Sequence, residues 1–332
     1  MRPRRPPAAL RVGLVFLTLA PPALTGPRVA EAQAFEAVGT RALGMGGAFV
    51  AVADDATASY WNPAGLINVF FSALVDVQRV DARVGSDTSG RTTSEELTTF
   101  ASMATSSFGL SYYRLRAWQV GRSAGTAPLR SLVTQHLGAA VVQPIAPGVT
   151  LATVIKVVRG TLAAGVGDGA AGVGALVDLA AGLDGRTTNR FDLDAGLLVG
   201  PGRWQIGLVA RNLRQPEFVA ADDLVVRLDR QVRVGASLRP TASLVVAVDA
   251  DLTTSETVAG SRRVVAAGAE QQLGRLRVRG GGRLNLEAET PELVGSVGLS
   301  LELLETLWLD GQATGGRDDG DRGWGISTRL SY

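Results

Sequence analysis

Few residues of this sequence could carry out catalysis or bind a metal ion. The chain of 332 residues has no cysteine and a single histidine, His136. Cysteine nucleophiles, disulfides and the common zinc sites are therefore excluded. Serines that follow glycines, such as Ser111 and Ser327, do not complete the Gly-x-Ser-x-Gly pattern of a hydrolase. We predict no enzyme, no metal and no cofactor, and interpret His136 as a structural or interior-facing residue.

A glycine cluster near the N-terminus, formed by Gly44, Gly46 and Gly47, superficially resembles a phosphate-binding loop. It follows no strand of a βαβ unit, and the only lysine, Lys156, is not followed by serine or threonine. Glycine permits positive φ and close approach of backbones. The cluster therefore indicates a compact, turn-rich element in which these glycines pack backbone against backbone.

Two adjacent acidic residues, Asp54 and Asp55, follow the glycine cluster. They could bind a cation, but aspartate is a preferred helix cap, so we expect a short helix over residues 56–61 instead. Pro63 restricts the backbone of Asn62 and should end that helix. A piece of this size is too small to fold alone. If the rest of the chain forms a β-barrel, this piece could sit in the lumen of that barrel as a plug.

The basic residues are concentrated at the N-terminus. The first 34 residues hold five arginines and one acid, which leaves 28 basic and 30 acidic side chains in the rest. No positive surface for nucleic acid is expected in that remainder. The same segment has an Arg-rich start, an apolar run over residues 12–20 and a small-x-small site at residues 32–34. We therefore predict a secretory signal peptide over residues 1–34 and export of the chain.

The rest of the chain alternates with period two in segments of about ten residues, which is typical of transmembrane β-strands. The final segment is the clearest case, because one face carries Trp324, Ile326, Thr328, Leu330 and Tyr332. Its terminal aromatic residue also resembles the signal that outer-membrane barrels present to the barrel-assembly machinery. We therefore expect that machinery as a partner during biogenesis.

Charged residues also share strand faces. Four arginines lie on one face of residues 275–285, and two aspartates lie on one face of residues 243–252. An arginine at mid-membrane costs about 2 to 4 kcal/mol, so these faces should point to a polar interior. The residues expected to line it are Asp192, Asp194, Arg233, Asp249, Asp251, Glu270, Arg277, Arg279 and Arg283. They form either a salt-bridged wall that holds the plug or a polar path.

Turn residues separate these segments and allow the strands to be placed. Thirteen strands are expected near residues 69–84, 106–120, 131–145, 149–160, 187–200, 203–214, 228–239, 242–252, 262–273, 275–286, 293–303, 305–314 and 323–332. Known bacterial barrels have even strand numbers, so a fourteenth is expected within residues 92–103, with twelve as the alternative. Residues 161–183, rich in glycine, are expected to form a long loop with one short helix. A soluble β-sandwich or propeller is the competing fold.

The run GTRALGMGGAFVAVADDATASYWNPAGL, residues 39–66, resembles the N-terminal signature of the FadL-like outer-membrane proteins. That family includes fatty-acid transporters, aromatic-hydrocarbon channels and the PorV and PorQ proteins of type IX secretion. The resemblance implies an all-β, transmembrane antiparallel β-barrel of fourteen strands over residues 69–332, with a hatch over residues 35–68 in its lumen. Its Asn-Pro-Ala hatch motif maps onto Asn62, Pro63 and Ala64. The residues expected to gate the barrel or bind a ligand are Trp61, Asn62, Pro63, Ala64, Gly44, Gly46 and Gly47.

Two functions follow from this reasoning. The first is an outer-membrane channel for passive passage of small hydrophobic molecules, gated by the hatch, with outer-membrane lipid and a hydrophobic ligand as partners. The alternative is an accessory barrel of the PorV and PorQ kind, which assists protein secretion and carries no solute. Both place the protein in the outer membrane of a Gram-negative-type bacterium, and neither involves nucleic acid.

Overall fold

The protein is a closed antiparallel β-barrel of fourteen strands with its N-terminal segment inside. The computed structural model describes residues 29–30, 34–84, 92–121, 125–200, 202–220, 225–257, 260–288, 292–316 and 322–332. Apart from residues 29–30 and Ala34, the signal peptide expected over residues 1–34 lies outside this part of the chain.

Each barrel strand pairs with its neighbour along the chain, and the last strand pairs with the first to close the wall. The strands are β1 Phe71–Val84, β2 Thr92–Thr105, β3 Phe108–Val120, β4 Thr126–Ala146, β5 Val149–Asp168, β6 Arg186–Val199, β7 Trp204–Arg211, β8 Gln231–Thr241, β9 Leu244–Asp251, β10 Val264–Leu273, β11 Leu276–Asn285, β12 Glu292–Leu304, β13 Leu307–Gly316 and β14 Arg322–Ser331. The predicted fourteen-stranded barrel is confirmed, and the strand expected within residues 92–103 is β2.

Side chains alternate between the two faces of the wall. In β14, Trp324 and Ile326 are about half exposed, whereas Ser327 and Arg329 are buried. The outward face of the whole wall carries exposed apolar residues, among them Val75, Leu137, Ile155, Val248, Val297 and Leu299. A closed wall leaves no unpaired strand edge, so its polar backbone is satisfied while apolar side chains face lipid. This outward apolar surface, called the belt below, is the membrane-facing part of the protein.

The two ends of the barrel differ in the lengths of their connections. Residues 106–107, 147–148, 242–243, 274–275 and 305–306 are two-residue turns at one end. The other end carries longer connections, including residues 169–185, 212–230 and 252–263. Outer-membrane barrels have short periplasmic turns and longer extracellular loops, so the end with the longer connections is the outer end.

The outer connections contain secondary structure of their own. Strands Glu217–Val219 and Val225–Arg227 pair antiparallel, Val29–Ala30 pairs parallel with the second of them, and Ser255–Thr257 pairs with Gly260–Arg262. Helix α3, Val173–Ala181, packs on the outside of β3, β4 and β5. The long loop expected over residues 161–183 is therefore only partly correct.

The loop prediction failed because glycines were taken as interruptions. Strand β5 continues to Asp168, and the predicted short helix begins only at Val173. A Cβ at Gly165 would lie 2.9 Å from Leu183, and one at Gly167 would lie 2.6 Å from Leu176. These glycines belong to a strand over which the helix segment packs closely, because they have no side chain there.

The N-terminal segment, residues 34–70, lies inside the barrel. It contains α1 Thr40–Gly44, α2 Ala58–Trp61 and a 3-10 helix Pro63–Asn68. Its residues from Phe35 to Trp61 are almost all buried. Helix α1 contacts β12 and β13 on one side, and the 3-10 helix contacts β4, β5 and β6 on the other. Among the described residues, no helix is long and apolar enough to cross a membrane.

Candidate functional site

Aromatic side chains hold the N-terminal segment together. Trp61 is fully buried, and its Nε1 donates to the carbonyl of Val38 at 2.9 Å. The ring of Phe35 lies 5.3 Å from that of Trp61, and the ring of Phe49 lies 6.0 Å from it. The hydroxyl of Tyr60 donates to the carbonyl of Phe35 at 2.9 Å. The segment therefore has a small core of its own around Trp61.

The Asn-Pro-Ala motif lies against the barrel wall. The Asn62 side-chain amide donates to the carbonyl of Val50 at 3.0 Å and to that of Leu197, in β6, at 3.1 Å. Its Oδ1 accepts from the Ala64 amide at 3.2 Å, which caps the 3-10 helix. A Cβ at Gly196 would lie 2.3 Å from Asn62 Oδ1, so only glycine leaves room for this turn. Pro63 packs on the same glycine.

Asn62 has φ −162° and ψ 102°, the extended conformation expected before proline. The preceding helix is α2, which is shorter than the predicted residues 56–61. The expected aspartate cap is not formed, since the cap residue is Thr57 and it has no side-chain capping bond; Asp55 Oδ1 instead accepts from the Thr57 amide at 2.9 Å and from the Thr57 hydroxyl. Asp54 makes no such bond and pairs with Arg239 at 2.9 Å.

The predicted glycine cluster touches the wall on the opposite side. Gly46 and Gly47 have φ of +72° and +87°, values that favour glycine. A Cβ at Gly46 would lie 2.5 Å from the amide nitrogen of Gly282, in β11. The carbonyl of Gly44 accepts from the Ser296 hydroxyl, in β12, at 3.2 Å. Gly47 instead faces Glu36 and Trp61 within the segment.

A first group of ion pairs joins the segment to the wall through Arg41. Its guanidinium binds Glu270, in β10, at 2.7 Å, and also Asp54 and Asp55. Glu270 in turn accepts from Arg279, in β11, at 2.5 Å. Burial would raise the pKa of Asp55, but the Arg41 charge outweighs it and the pKa is lowered. All these side chains except that of Asp54 are buried, so the pairs are little screened by water.

A second group is centred on Arg233, in β8. This side chain binds Glu36 of the segment and Asp251, in β9, the latter at 2.6 Å. Burial alone would raise the pKa of Glu36, but nearby guanidinium groups, Arg233 first among them, lower it to about 2. Arg283 is one of those groups. Glu36 therefore stays ionised at any ordinary pH and keeps its attraction to the wall.

Carboxylates of the wall also bind backbone amides of the segment. Asp249 Oδ2 accepts from Phe49 and Val50 at 2.8 and 2.9 Å. Asp76, in β1, accepts from the Thr40 amide at 2.7 Å. Because these bonds go to the backbone, they fix the position of the segment independently of its side chains.

Two of the predicted interior residues lie away from the segment's ion pairs, and a third, Arg277, lies beside the Arg41 group. Asp192 and Asp194, in β6, bind Lys156 at 3.0 and 2.7 Å. Arg277 is half-buried and lies over the Trp308 ring, 4.3 Å from its centre. The described contacts of the predicted interior residues thus fall into separate groups.

His136 contributes to neither group. It is buried and stacks on Tyr113 with ring centres 4.0 Å apart, and neither ring nitrogen has a hydrogen-bond partner among the described residues. No group of three or more potential metal ligands occurs in the described part of the chain. The ion pairs and hydrogen bonds of the interior hold the segment against the wall.

The interior has two unlike halves. Apolar side chains that pack on the segment come largely from β1 to β7 and include Leu74, Phe100, Val142, Val154, Leu198 and Val209. Among the described wall residues, seven buried charges come from β8 to β14, namely Arg233, Asp249, Glu270, Arg279, Arg283, Asp310 and Arg329, and five come from β1 to β7, namely Asp76, Lys156, Asp192, Asp194 and Arg211. The 3-10 helix contacts the first half and α1 contacts the second.

The sequence reasoning missed several of these residues. Arg41 and Glu36 lie in a segment without alternation, so no periodicity marked them. Lys156 and Asp76 do occupy the inward positions of alternating strands, and that signal was available. Their partners could not be read, because each partner is set by strand register or by the path of the segment.

Comparisons with known proteins identify the fold. Residues 177–251, less than a quarter of the chain, match the family described as the F plasmid transfer operon TraF protein. No curated protein matches the sequence. A solved FadL homologue from Pseudomonas aeruginosa is similar at 11% identity and TM-score 0.59, over 92% of this chain and 99% of that one. The toluene transporter TodX of Pseudomonas putida is similar at 10% identity and TM-score 0.61, over 90% and 99%.

At these identities the likeness concerns the fold. It agrees with the closed fourteen-stranded wall, the belt and the short turns at one end, which together are the architecture of an outer-membrane barrel. The chain therefore has the fold of the FadL-like β-barrels and belongs in the outer membrane of a Gram-negative-type bacterium.

Proposed function

We propose that the protein is a passive outer-membrane channel for small hydrophobic molecules, and that residues 35–68 are a hatch that gates it. The observation that carries the proposal is how this segment is attached. It contacts the wall through side chains and backbone bonds to side chains, as in Asn62 to Leu197 and Asp249 to Phe49. Because the barrel is complete without it, the hatch can move while the ladder of wall hydrogen bonds stays intact.

The two halves of the interior give that movement a direction. Ion pairs such as Arg41 to Glu270 and Glu36 to Arg233 anchor the hatch on the charged half. On the other half, the 3-10 helix, directly after Asn62 and Pro63, makes apolar contacts, and uncharged hydrogen bonds such as Asn62 to Leu197 accompany them. A hinge at Asn62 and Pro63 would let the 3-10 helix leave the apolar half and expose it to a solute.

The chemistry of that half sets the solute class. Phe100, Val142, Val154 and Leu198 offer apolar surface, so a small apolar molecule would gain free energy by binding there. The similar solved structures include proteins described as a toluene transporter and a monoaromatic hydrocarbon channel. Trp61, Ala64, Gly44, Gly46 and Gly47 would act in gating through the packing of the hatch.

A reversible cross-link tests the gate directly. The hydroxyls of Ser59, in the hatch, and Ser102, in β2, are 3.1 Å apart, and the chain contains no cysteine. In the S59C/S102C variant a disulfide can therefore form between only these two positions, which are close enough for its geometry. The measurement is uptake of labelled toluene by cells that carry the protein in a lipopolysaccharide-containing outer membrane, under oxidising conditions and after reduction, with each single variant as control.

We expect uptake to fall in the oxidised double variant, to return on reduction and to be unaffected in the single variants. Equal uptake in the oxidised and reduced states, with the cross-link verified by mass spectrometry, would show that this part of the hatch is not the gate. Uptake by cells with the unmodified protein no faster than by cells without it would contradict the channel itself.

A second function is supported by the density of buried ion pairs around the hatch. Arg41, Arg233 and Arg279 each bind at least two partners, which suits a hatch that stays closed. In that case the barrel would serve as an accessory that binds another protein in secretion. This alternative predicts no uptake in either redox state and recovery of a specific polypeptide with the native barrel.

A further inference from the structure

The outward face of the wall carries three arginines at one edge of the belt. On β3, the exposed Leu110 and Tyr112 are followed on the same face by Arg114 and Arg116. Arg114 pairs in register with Gln135, and Gln135 pairs with Arg159 on β5. Successive neighbouring strands are about 4.8 Å apart, so Arg114 and Arg159 are separated by about 10 Å. We call Arg114, Arg116 and Arg159 the arginine face.

The position of these residues across the membrane follows from their neighbours. One outward position closer to the short turns, β4 carries Leu137 and β5 carries Val157, both exposed. The arginine face therefore marks the upper limit of the belt, towards the outer end. An arginine on a lipid-facing position costs about 2 to 4 kcal/mol at the midplane and close to nothing at the interface, which agrees with this placement.

The arginine face has no counter-charge within the described protein. None of its three residues forms an ion pair with a described side chain, and the Nε of Arg114 is buried without an acceptor. Glu95, which lies on the same outward face, is already paired with Arg79 at 3.0 Å. Other guanidinium groups at the outer end do have partners, such as Arg190, which donates to the Glu217 carbonyl at 2.9 Å.

We infer that the arginine face binds the phosphate groups of an anionic lipid in the outer leaflet, of the phosphorylated glycolipid type. Guanidinium groups bind phosphate oxygens through paired N–H donors. The apolar side chains directly below, among them Tyr112, Leu137 and Val157, provide the surface for acyl chains of the same lipid. A soluble phosphate would use only the arginines, whereas a lipid uses both. This inference does not depend on solute transport.

The test compares R114Q/R116Q/R159Q with R190Q/R230Q/R263Q, which removes the same charge from outer residues that donate to backbone carbonyls. Native mass spectrometry in detergent measures the binding of diphosphorylated lipid A, dephosphorylated lipid A and inorganic pyrophosphate. Each arginine near an anionic headgroup contributes roughly fivefold in affinity, so loss of three should weaken binding about 100-fold.

We expect diphosphorylated lipid A to bind the unmodified protein and the control variant, and to bind the arginine-face variant about 100-fold more weakly. Dephosphorylated lipid A should bind all three proteins equally weakly. Equal binding of diphosphorylated lipid A to all three would overturn the inference. Pyrophosphate binding as tight as that of lipid A would overturn the assignment to a lipid. Heat-modified mobility on gels verifies that each variant is folded.

Discussion

A single methyl group on the inner surface of the wall should loosen the hatch. A Cβ at Gly281, in β11, would lie 2.3 Å from the carbonyl carbon of Met45 and 2.5 Å from the amide nitrogen of Gly46. Both contacts are with backbone, so no side-chain rotation relieves them. The wall is held by hydrogen bonds to two neighbouring strands, and therefore the hatch is the part that must shift.

Overpacking of this kind costs about 1 to 3 kcal/mol. We take about 2 kcal/mol of this cost to destabilise the docked hatch, meaning the hatch in its position against the wall. The ratio of undocked to docked hatch then rises roughly 30-fold, since each 1.4 kcal/mol is a factor of ten. The G281A variant should therefore show faster release of a small dye from proteoliposomes and faster proteolysis within residues 35–68.

The neighbouring residue supplies the control. Gly280 points outward into a lipid-side groove of about 650 Å³ lined by small residues such as Ala267 and Gly282, and nothing lies within 4 Å of its Cβ position. G280A makes the same chemical change in the same strand without touching the hatch. If proteoliposomes with G281A and with G280A release dye at the same rate, and the two hatches are cleaved at the same rate, the contact of Met45 and Gly46 with the wall does not hold the hatch.

Three further results are expected. R41M leaves Glu270 buried without its hatch partner, and because breaking a buried pair costs about 3 to 5 kcal/mol, dye release should exceed that of G281A. The pKa of Glu36 is lowered to about 2, so its attraction to Arg233 is complete above about pH 4.5 and is lost as pH falls towards 2. Protection of the hatch from pepsin should be lost over the same pH range. In E36Q the pH dependence of that protection should change. K156M should lower the thermal stability of the barrel without changing dye release, since its partners belong to the wall.

The wall could be predicted from the sequence because one face of every strand meets lipid and the other meets the polar interior, which makes apolar and polar residues alternate. In β14 and β11 every second residue faces lipid and the others face the interior, so alternation marks both the strand and its faces. Alternation did not reveal β2, which was expected within residues 92–103 from the even strand numbers of known barrels. It failed at Gly165 and Gly167, where a glycine is required because a helix packs on the outside of the strand.

The contacts of the hatch obey no comparable rule. Arg41 and Glu270 are 229 positions apart, and their meeting depends on the register of the ten strands β1 to β10 and on the turn at Gly46 and Gly47. Periodicity contains no information about such a pair. The glycines and the Asn62 turn were recognisable as unusual backbone, but the wall residues that they touch, such as Gly196 and Gly282, became evident only from the structure.

The hatch is anchored by ion pairs on β8 to β14 and packs through the apolar residues of its 3-10 helix on the opposite side. This difference affects how the hatch can open. Buried ion pairs contribute little net stability compared with apolar packing, but they penalise every wrong position of the hatch, because a displaced Arg41 or Glu36 leaves a buried charge unpaired. Apolar contacts between the 3-10 helix and Val142 or Leu198 carry no such penalty, since a hydrophobic solute can replace them. On the proposed function, the hatch therefore opens by exchange of apolar contacts at one side while its charged side stays in register. A solute should accelerate opening in proportion to its hydrophobicity, and R41M should weaken that dependence.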